Sequence, residues 1–198
     1  MAAREFHRVL AAEGVSNFGA MLSRLAIPWL AVLSLQATPL QMAWLGMADV
    51  AAGALGALAG AAAAPALGRR VGAGRAMALG LLAFALGTAC VPLAGSALWL
   101  WGPLGVAGCL VLHRLVGDAG HALYEVHDRT LRQTAVPPDQ LARADAGLRS
   151  LALAATLAAM LGGGLLGQVL GASGVLWLGV AAGAGAALLA ALTLRQHR

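Results

Sequence analysis

Residues 151–194 read LALAATLAAMLGGGLLGQVLGASGVLWLGVAAGAGAALLAALTL and contain no Asp, Glu, Lys or Arg. A helix that crosses a membrane needs about 20 mostly apolar residues, so this stretch has the length for two spans. Gly171-Ala172-Ser173-Gly174 is the expected turn between them. The same composition runs through the whole chain, of which 60% is apolar and 11% is charged. Because a soluble domain has about a quarter of its residues charged, we expect an integral membrane protein.

Apolar runs of spanning length follow one another along the chain, and they predict an all-α, polytopic membrane protein. The six predicted spans lie at about 9–35, 41–66, 76–95, 98–121, 147–170 and 174–194, in one six-helix domain over residues 1–198. Residues 122–146 form the predicted long loop, with an amphipathic helical segment on the membrane face. Its Pro137-Pro138-Asp139 predicts a helix stop and restart, with Asp139 as N-cap of the next helix.

The basic residues predict the orientation in the membrane. They fall in four clusters between alternate apolar runs: Arg4 and Arg8; Arg69, Arg70 and Arg75; Arg129, Arg132, Arg143 and Arg149; Arg195 and Arg198. Loops rich in Lys and Arg stay on the cytoplasmic side, so all four clusters and both termini are predicted to be cytoplasmic. The net charge of +5 is thus explained by topology and not by nucleic-acid binding, which uses a continuous basic face.

Ionisable residues inside the predicted spans are the candidates for a functional site, since each costs a few kcal/mol in lipid without a partner. Arg24 and Asp49 lie at similar depth in the first hairpin, so we expect an ion pair, with either a structural role or a role toward substrate or protons. Arg114 is the second candidate, and Glu13 and Asn17 approach its depth. Arg114 either couples substrate or proton movement, or extends to the interface or to Asp118.

Metal and enzyme chemistry are not expected. His113, His121, Asp118 and Glu125 cluster in one predicted span, but the two histidines are two turns apart and no Cys joins them, which does not suit a metal site. A serine nucleophile at Ser173 needs an activating His on a later span, and the His that follows is His197 in the tail. We therefore predict no metal, no cofactor and no enzyme activity.

Small residues at helical spacing predict close helix packing. They are Gly53, Gly56 and Gly60 in the second predicted span, and Gly163, Gly167 and Gly171 in the fifth. We expect the neighbouring helices to belong to the same chain.

Several motifs together resemble the major facilitator superfamily, specifically its bacterial drug and siderophore exporters. They are Val15-Ser16-Asn17-Phe18-Gly19 with Ala26-Ile27-Pro28, the loop Gly68-Arg69-Arg70-Val71-Gly72-Ala73-Gly74-Arg75, Arg114 with Gly117 and Gly120, Leu131 to Ala146, and Gly162 to Gly164 with Gly167. The resemblance implies small-molecule efflux by alternating access across the inner membrane. It also implies a coupling role for Arg114 and a conformational role for Arg69, Arg70, Gly72 and Arg75. The chain departs from the family where Arg69 replaces an acidic residue and Gly163 replaces a proline.

Members of that family have two six-helix halves around a central path, and this sequence resembles one half. We therefore expect the chain to work as a homodimer or with a second six-helix half, in contact with the lipid bilayer and a small-molecule substrate. The alternative is a truncated or degenerate membrane protein that transports nothing and serves as an assembly partner.

Overall fold

The computed structural model describes residues 38–194, and the regular structure in this range is entirely helical. Helix α1 spans Pro39–Val71, α2 spans Ala73–Ala135 and α3 spans Pro138–Leu194. The prediction of an all-α protein is confirmed.

Helix α1 has clear signals at both ends. Thr38 is the N-cap: its Oγ1 accepts a hydrogen bond from the Gln41 backbone N–H at 3.3 Å, and its own N–H donates to Gln41 Oε1 at 2.9 Å. This reciprocal pair satisfies two N–H groups that the first turn leaves free. The helix ends at Gly72, whose φ of 85° and ψ of 151° suit glycine and strain other residues. Arg69 and Arg70 occupy the last turn, where the helix dipole favours cations.

Helix α2 folds back on itself between Gly87 and Gly117. A Cβ added at Gly87 would lie 2.6 Å from the Gly117 N, and one at Gly80 would lie 2.6 Å from the Gly120 carbonyl oxygen. The rings of Phe84 and His121 are 5.9 Å apart between centroids. A straight helix would separate these pairs by about 45–60 Å at 1.5 Å per residue. The two arms of α2 therefore lie antiparallel and in contact.

The helical segment predicted within 122–146 is present, but the predicted N-cap of the helix that follows is wrong. The loop is helical except around Val136 and Pro137, because α2 continues to Ala135 and α3 begins at Pro138. Asp139 lies in the first turn of α3 and is not its N-cap. Proline favours the first helical position. Pro138 occupies that position, so the N-cap position is that of Pro137, two residues before Asp139. The predicted stop and restart at Pro137-Pro138 is confirmed.

Helix α3 consists of two arms that meet at Gly171. Gly171 has a φ of 68° and a ψ of 173°, which interrupts the helical backbone where the sequence predicts a turn. The second arm packs on α2, since a Cβ added at Gly183 would lie 3.3 Å from the Ala85 Cβ. Gly171 thus divides the uncharged stretch 151–194 into two helical arms.

The core of the described residues is small and lies where three arms meet. Met77 and Leu81 from the first arm of α2 are almost fully buried, and they join Tyr124 from its second arm. The second arm of α3 contributes three alanines, Ala186, Ala187 and Ala190. Their small side chains allow the helix axes to come close.

Three stretches are long and apolar enough to cross a membrane: Pro39–Val71, Ala73–Leu93 and Pro138–Leu192. The prediction of six spans is therefore not confirmed in residues 38–194. The predicted span 9–35 lies outside this range. The predicted spans 147–170 and 174–194 belong to one stretch, and the charged second arm of α2 is not among the three.

Large apolar side chains are exposed over much of the surface. Leu157, Leu161 and Val169 are 69%, 72% and 83% exposed. Contiguous apolar surface of this kind is rare on soluble monomers, whereas lipid is a good solvent for it. Together with the three apolar helical stretches, it indicates a multi-pass membrane protein.

Candidate functional site

The ionised side chains of Asp49, Arg114 and Asp118 meet between α1 and the second arm of α2. Arg114 Nε donates to Asp49 Oδ1 at 2.8 Å, and Arg114 Nη1 lies 3.2 Å from Asp118 Oδ2. The Arg114 side chain is 16% exposed, against 38% for Asp49 and 23% for Asp118. One guanidinium thus bridges carboxylates from two helices, and the cluster has one basic and two acidic side chains among residues 38–194.

Gly53 provides the space for this cluster. A Cβ at Gly53 would lie 2.5 Å from Asp118 Oδ2 and 3.2 Å from Arg114 Nη2, closer than a real Cβ is found to its neighbours. Gly53 follows Asp49 by one helical turn, so both lie on the same face of α1. The sequence placed Gly53 among the packing glycines, and the spacing from Asp49 was the signal for its part in the site.

Gly56 and Gly60 hold α1 against α2 at backbone distance. A Cβ at Gly56 would lie 2.5 Å from the Leu115 carbonyl oxygen, and one at Gly60 would overlap the backbone of Ala119. Further along, a Cβ at Gly68 would lie 2.5 Å from His127 Nε2. The contacts advance in the same direction on both helices, so α1 and the second arm of α2 run parallel.

The site is well removed from the charged end of these helices. Arg114 lies about 20 Å along the helix from His127 at 1.5 Å per residue, and His127 is the residue beside Gly68. Arg69 and Arg70 follow Gly68, so the basic residues of α1 and those of 125–132 share one end of the bundle. His113, next to Arg114 in the chain, is 6% exposed. It lies where Gly87 and Gly117 bring the two arms of α2 together.

A second group of charges lies at that basic end. Arg132 contacts Asp128 on its own helix and Asp145 Oδ1 on α3 at 3.0 Å. Asp128 is 3% exposed, and its burial raises the pKa of the carboxyl above the ordinary value of 3.8, against the opposing effect of Arg132. Arg132 thereby connects the end of α2 to the start of α3.

The structure brings together some of the predicted site residues. Asp49, Arg114 and Asp118 form the cluster. It contains the Arg114–Asp118 contact that was one predicted alternative, and Arg114 also pairs with Asp49, which was not predicted. Arg24, Glu13 and Asn17 lie outside residues 38–194, so the predicted pair of Arg24 with Asp49 stays a prediction. Arg69, Arg70, Gly72 and Arg75 are exposed around the turn between α1 and α2, and Gly163 and Gly167 are buried in α3.

Within residues 38–194, no group of three His, Cys, Asp or Glu side chains is arranged to hold a metal ion. His121 Nε2 lies 3.7 Å from Glu125 Oε1, which is an i,i+4 contact on the surface of α2.

No protein-family model matches this chain, and neither does any curated protein or solved structure. The resemblance to the major facilitator superfamily therefore stays a prediction from the sequence motifs.

Proposed function

We propose that this chain is a membrane transporter of the major facilitator type, which exports a small amphipathic molecule by alternating access. The observation that carries the proposal is Arg114, held between Asp49 of α1 and Asp118 of α2 far from the charged end of the bundle. Ionisable residues at such depth are costly and commonly belong to substrate or proton pathways. Within the described residues the cluster has two carboxylates for one guanidinium, so Arg114 has a choice of partner.

The second carboxylate gives the cluster two alternative arrangements. Arg114 can bond to Asp49, to Asp118 or to both, and the carboxylate that it releases can take up a proton or a cationic substrate group. Because Asp49 and Asp118 belong to different helices, the choice of partner is linked to the positions of α1 and α2. A ligand that prefers one arrangement shifts the equilibrium between them.

The proposal includes six crossings of the bacterial inner membrane with both termini in the cytoplasm. At 1.5 Å per residue, Pro138–Leu192 is about 80 Å long, against about 30 Å for the hydrocarbon core. Two crossings, one on each side of Gly171, accommodate this length. The antiparallel arms of α2 account for two further crossings, and α1 and the predicted span 9–35 complete the six.

We further propose that a second copy of the chain supplies the other six-helix half, because alternating access requires two bundles that move against each other. Two differently tagged copies expressed together should co-purify in mild detergent. Recovery of each tag alone, with no crosslink between copies in membranes, would exclude the homodimer.

Efflux of a fluorescent amphipathic dye from cells tests the transport proposal. Cells that express the wild type should retain less dye than cells without it, and Arg114→Gln should abolish the difference. Arg143→Gln is the matched control, because this substitution also removes one positive charge and Arg143 is exposed at the start of α3. Equal retention in all cells, with equal amounts of protein in the membrane, would favour the alternative of a non-transporting assembly partner.

A further inference from the structure

A polar cavity of about 480 Å³ lies at the basic end of the bundle, between the last turns of α2 and the first turns of α3. Glu125, Arg129 and Arg132 line it from α2. Asp145, Leu148 and Arg149 line it from α3. The cavity is separate from the Arg114 cluster, since Arg132 lies about 27 Å along α2 from Arg114.

One arginine on the cavity wall has no carboxylate partner among residues 38–194. Arg129 lies 3.7 Å from Glu125, and Arg132 is occupied by Asp145 and Asp128. Arg149 forms no ion pair with any residue of the described range 38–194. Glu125, Asp128 and Asp145 equal the three arginines in number, but two of these carboxylates contact Arg132. Arg149 is thus the arginine of the wall with no carboxylate partner within the described range.

A second observation also indicates a missing acceptor. The Nε of Arg132 is buried and has no hydrogen-bond partner among residues 38–194, although both Nη atoms of that side chain are engaged. Buried donors of this kind are normally satisfied by protein, water or a ligand. Within residues 38–194, the unsatisfied Nε donor of Arg132 and the unpaired guanidinium of Arg149 thus lie on the same cavity wall.

We propose that this cavity binds a phosphate group, either the headgroup of an anionic phospholipid or a soluble phosphate. Arginine is suited to phosphate because its planar fork donates to two oxygens at once. The cavity exceeds the size of one phosphate, so the rest of an ester has room beside Leu148. Exposed Leu151, Leu153 and Leu157 continue from the same end of α3 and offer an acyl chain an apolar surface. This site is independent of the transport proposal, and it requires that the chain lies in a membrane.

Binding to the full-length chain in neutral detergent tests the proposal. Phosphatidylglycerol, phosphatidylcholine and inorganic phosphate are titrated separately, with thermal unfolding and native mass spectrometry as readouts. Phosphatidylglycerol should bind and raise the unfolding temperature, whereas phosphatidylcholine should not. Binding of inorganic phosphate without phosphatidylglycerol would also support the site and would identify a soluble source.

Arg149→Gln and Arg143→Gln separate this site from a general effect of charge. Both residues are exposed on the same helix, both variants lose one positive charge, and Arg143 is not part of the cavity wall. Arg149→Gln should weaken binding by about fivefold to tenfold, in line with one cation near an anionic headgroup. Arg143→Gln should stay within about twofold of the wild type. Equal weakening by both variants, or binding of neither phosphatidylglycerol nor inorganic phosphate, would overturn the proposal.

Discussion

Gly53 leaves the space in which Arg114 and Asp118 meet, so this residue is a sensitive point of the site. In Gly53→Val the new Cβ would start 2.5 Å from Asp118 Oδ2, and the carboxylate must move. We expect transport to be lost and the free energy of unfolding to fall by about 1–3 kcal/mol, as for an overpacked core.

Gly46→Val is the control for Gly53→Val, because no atom of residues 38–194 lies within 4 Å of a Cβ at Gly46 on the same helix. Transport assays and thermal unfolding of both variants measure the difference. If both variants behaved alike, the effect would come from valine in α1 and not from the ion cluster.

Asp128 predicts a pH dependence of stability at the basic end of the bundle. Burial raises its pKa above 3.8, so the folded chain binds this proton more tightly than the unfolded chain does. The resulting stabilisation is complete below about pH 3.8 and is lost as the pH rises through the raised pKa. Asp128→Asn has no such proton. The unfolding temperature of the wild type relative to Asp128→Asn should therefore fall as the pH rises through this window, and a rise would contradict the assignment.

Helix α1 depends on Gly60 for its contact with α2. A Cβ at Gly60 would overlap the backbone of Ala119, and backbone atoms cannot rotate away as a side chain does. Gly60→Ala should therefore lower the free energy of unfolding by about 1–3 kcal/mol. Gly164→Ala, where nothing lies within 4 Å, should be neutral or stabilising by up to about 1 kcal/mol. Thermal unfolding in detergent compares the two, and equal stability would mean that this contact is not close.

The bounds of the helices were predicted well where hydropathy and local signals agree. They were predicted less well at 122–135, where α2 continues into a charged sequence. The predicted spans 41–66 and 76–95 match α1 and the first arm of α2 to within a few residues. A helical segment was predicted within 122–146, but not that α2 continues without a break to Ala135. Its Glu125–Arg129 and Asp128–Arg132 pairs lie at i,i+4 spacing, which adds to the stability of a helix.

The candidate site was predicted in its residues and only in part in its pairing, since the Arg114–Asp118 contact was one alternative for Arg114 and the Asp49–Arg114 contact was not predicted. Asp49, Arg114 and Asp118 are recognisable as ionisable residues within apolar runs. Counting residues gives their depth along a helix axis, but it does not show which helices are neighbours. The pairing of Asp49 with Arg114 follows from the glycine contacts that place α1 beside the second arm of α2.

The topology of the whole molecule can be tested on α3. In a chain with Cys90 and Cys109 replaced by alanine, Ser173→Cys should react with an impermeant thiol reagent from outside intact cells. Arg143→Cys should react after permeabilisation and not before. Labelling of both positions from the same side would contradict two crossings around Gly171 and the six-span topology.

The central claim is that this chain moves a small molecule across a membrane through a path that depends on Arg114. Its most direct test is dye flux across liposomes that contain only the purified protein. We expect flux above that of protein-free liposomes. Arg114→Gln should reduce it at least about tenfold, which corresponds to a barrier about 1.4 kcal/mol higher. Arg143→Gln should not reduce it. Wild-type flux no greater than that of empty liposomes, or equal flux with Arg114→Gln, would contradict the claim.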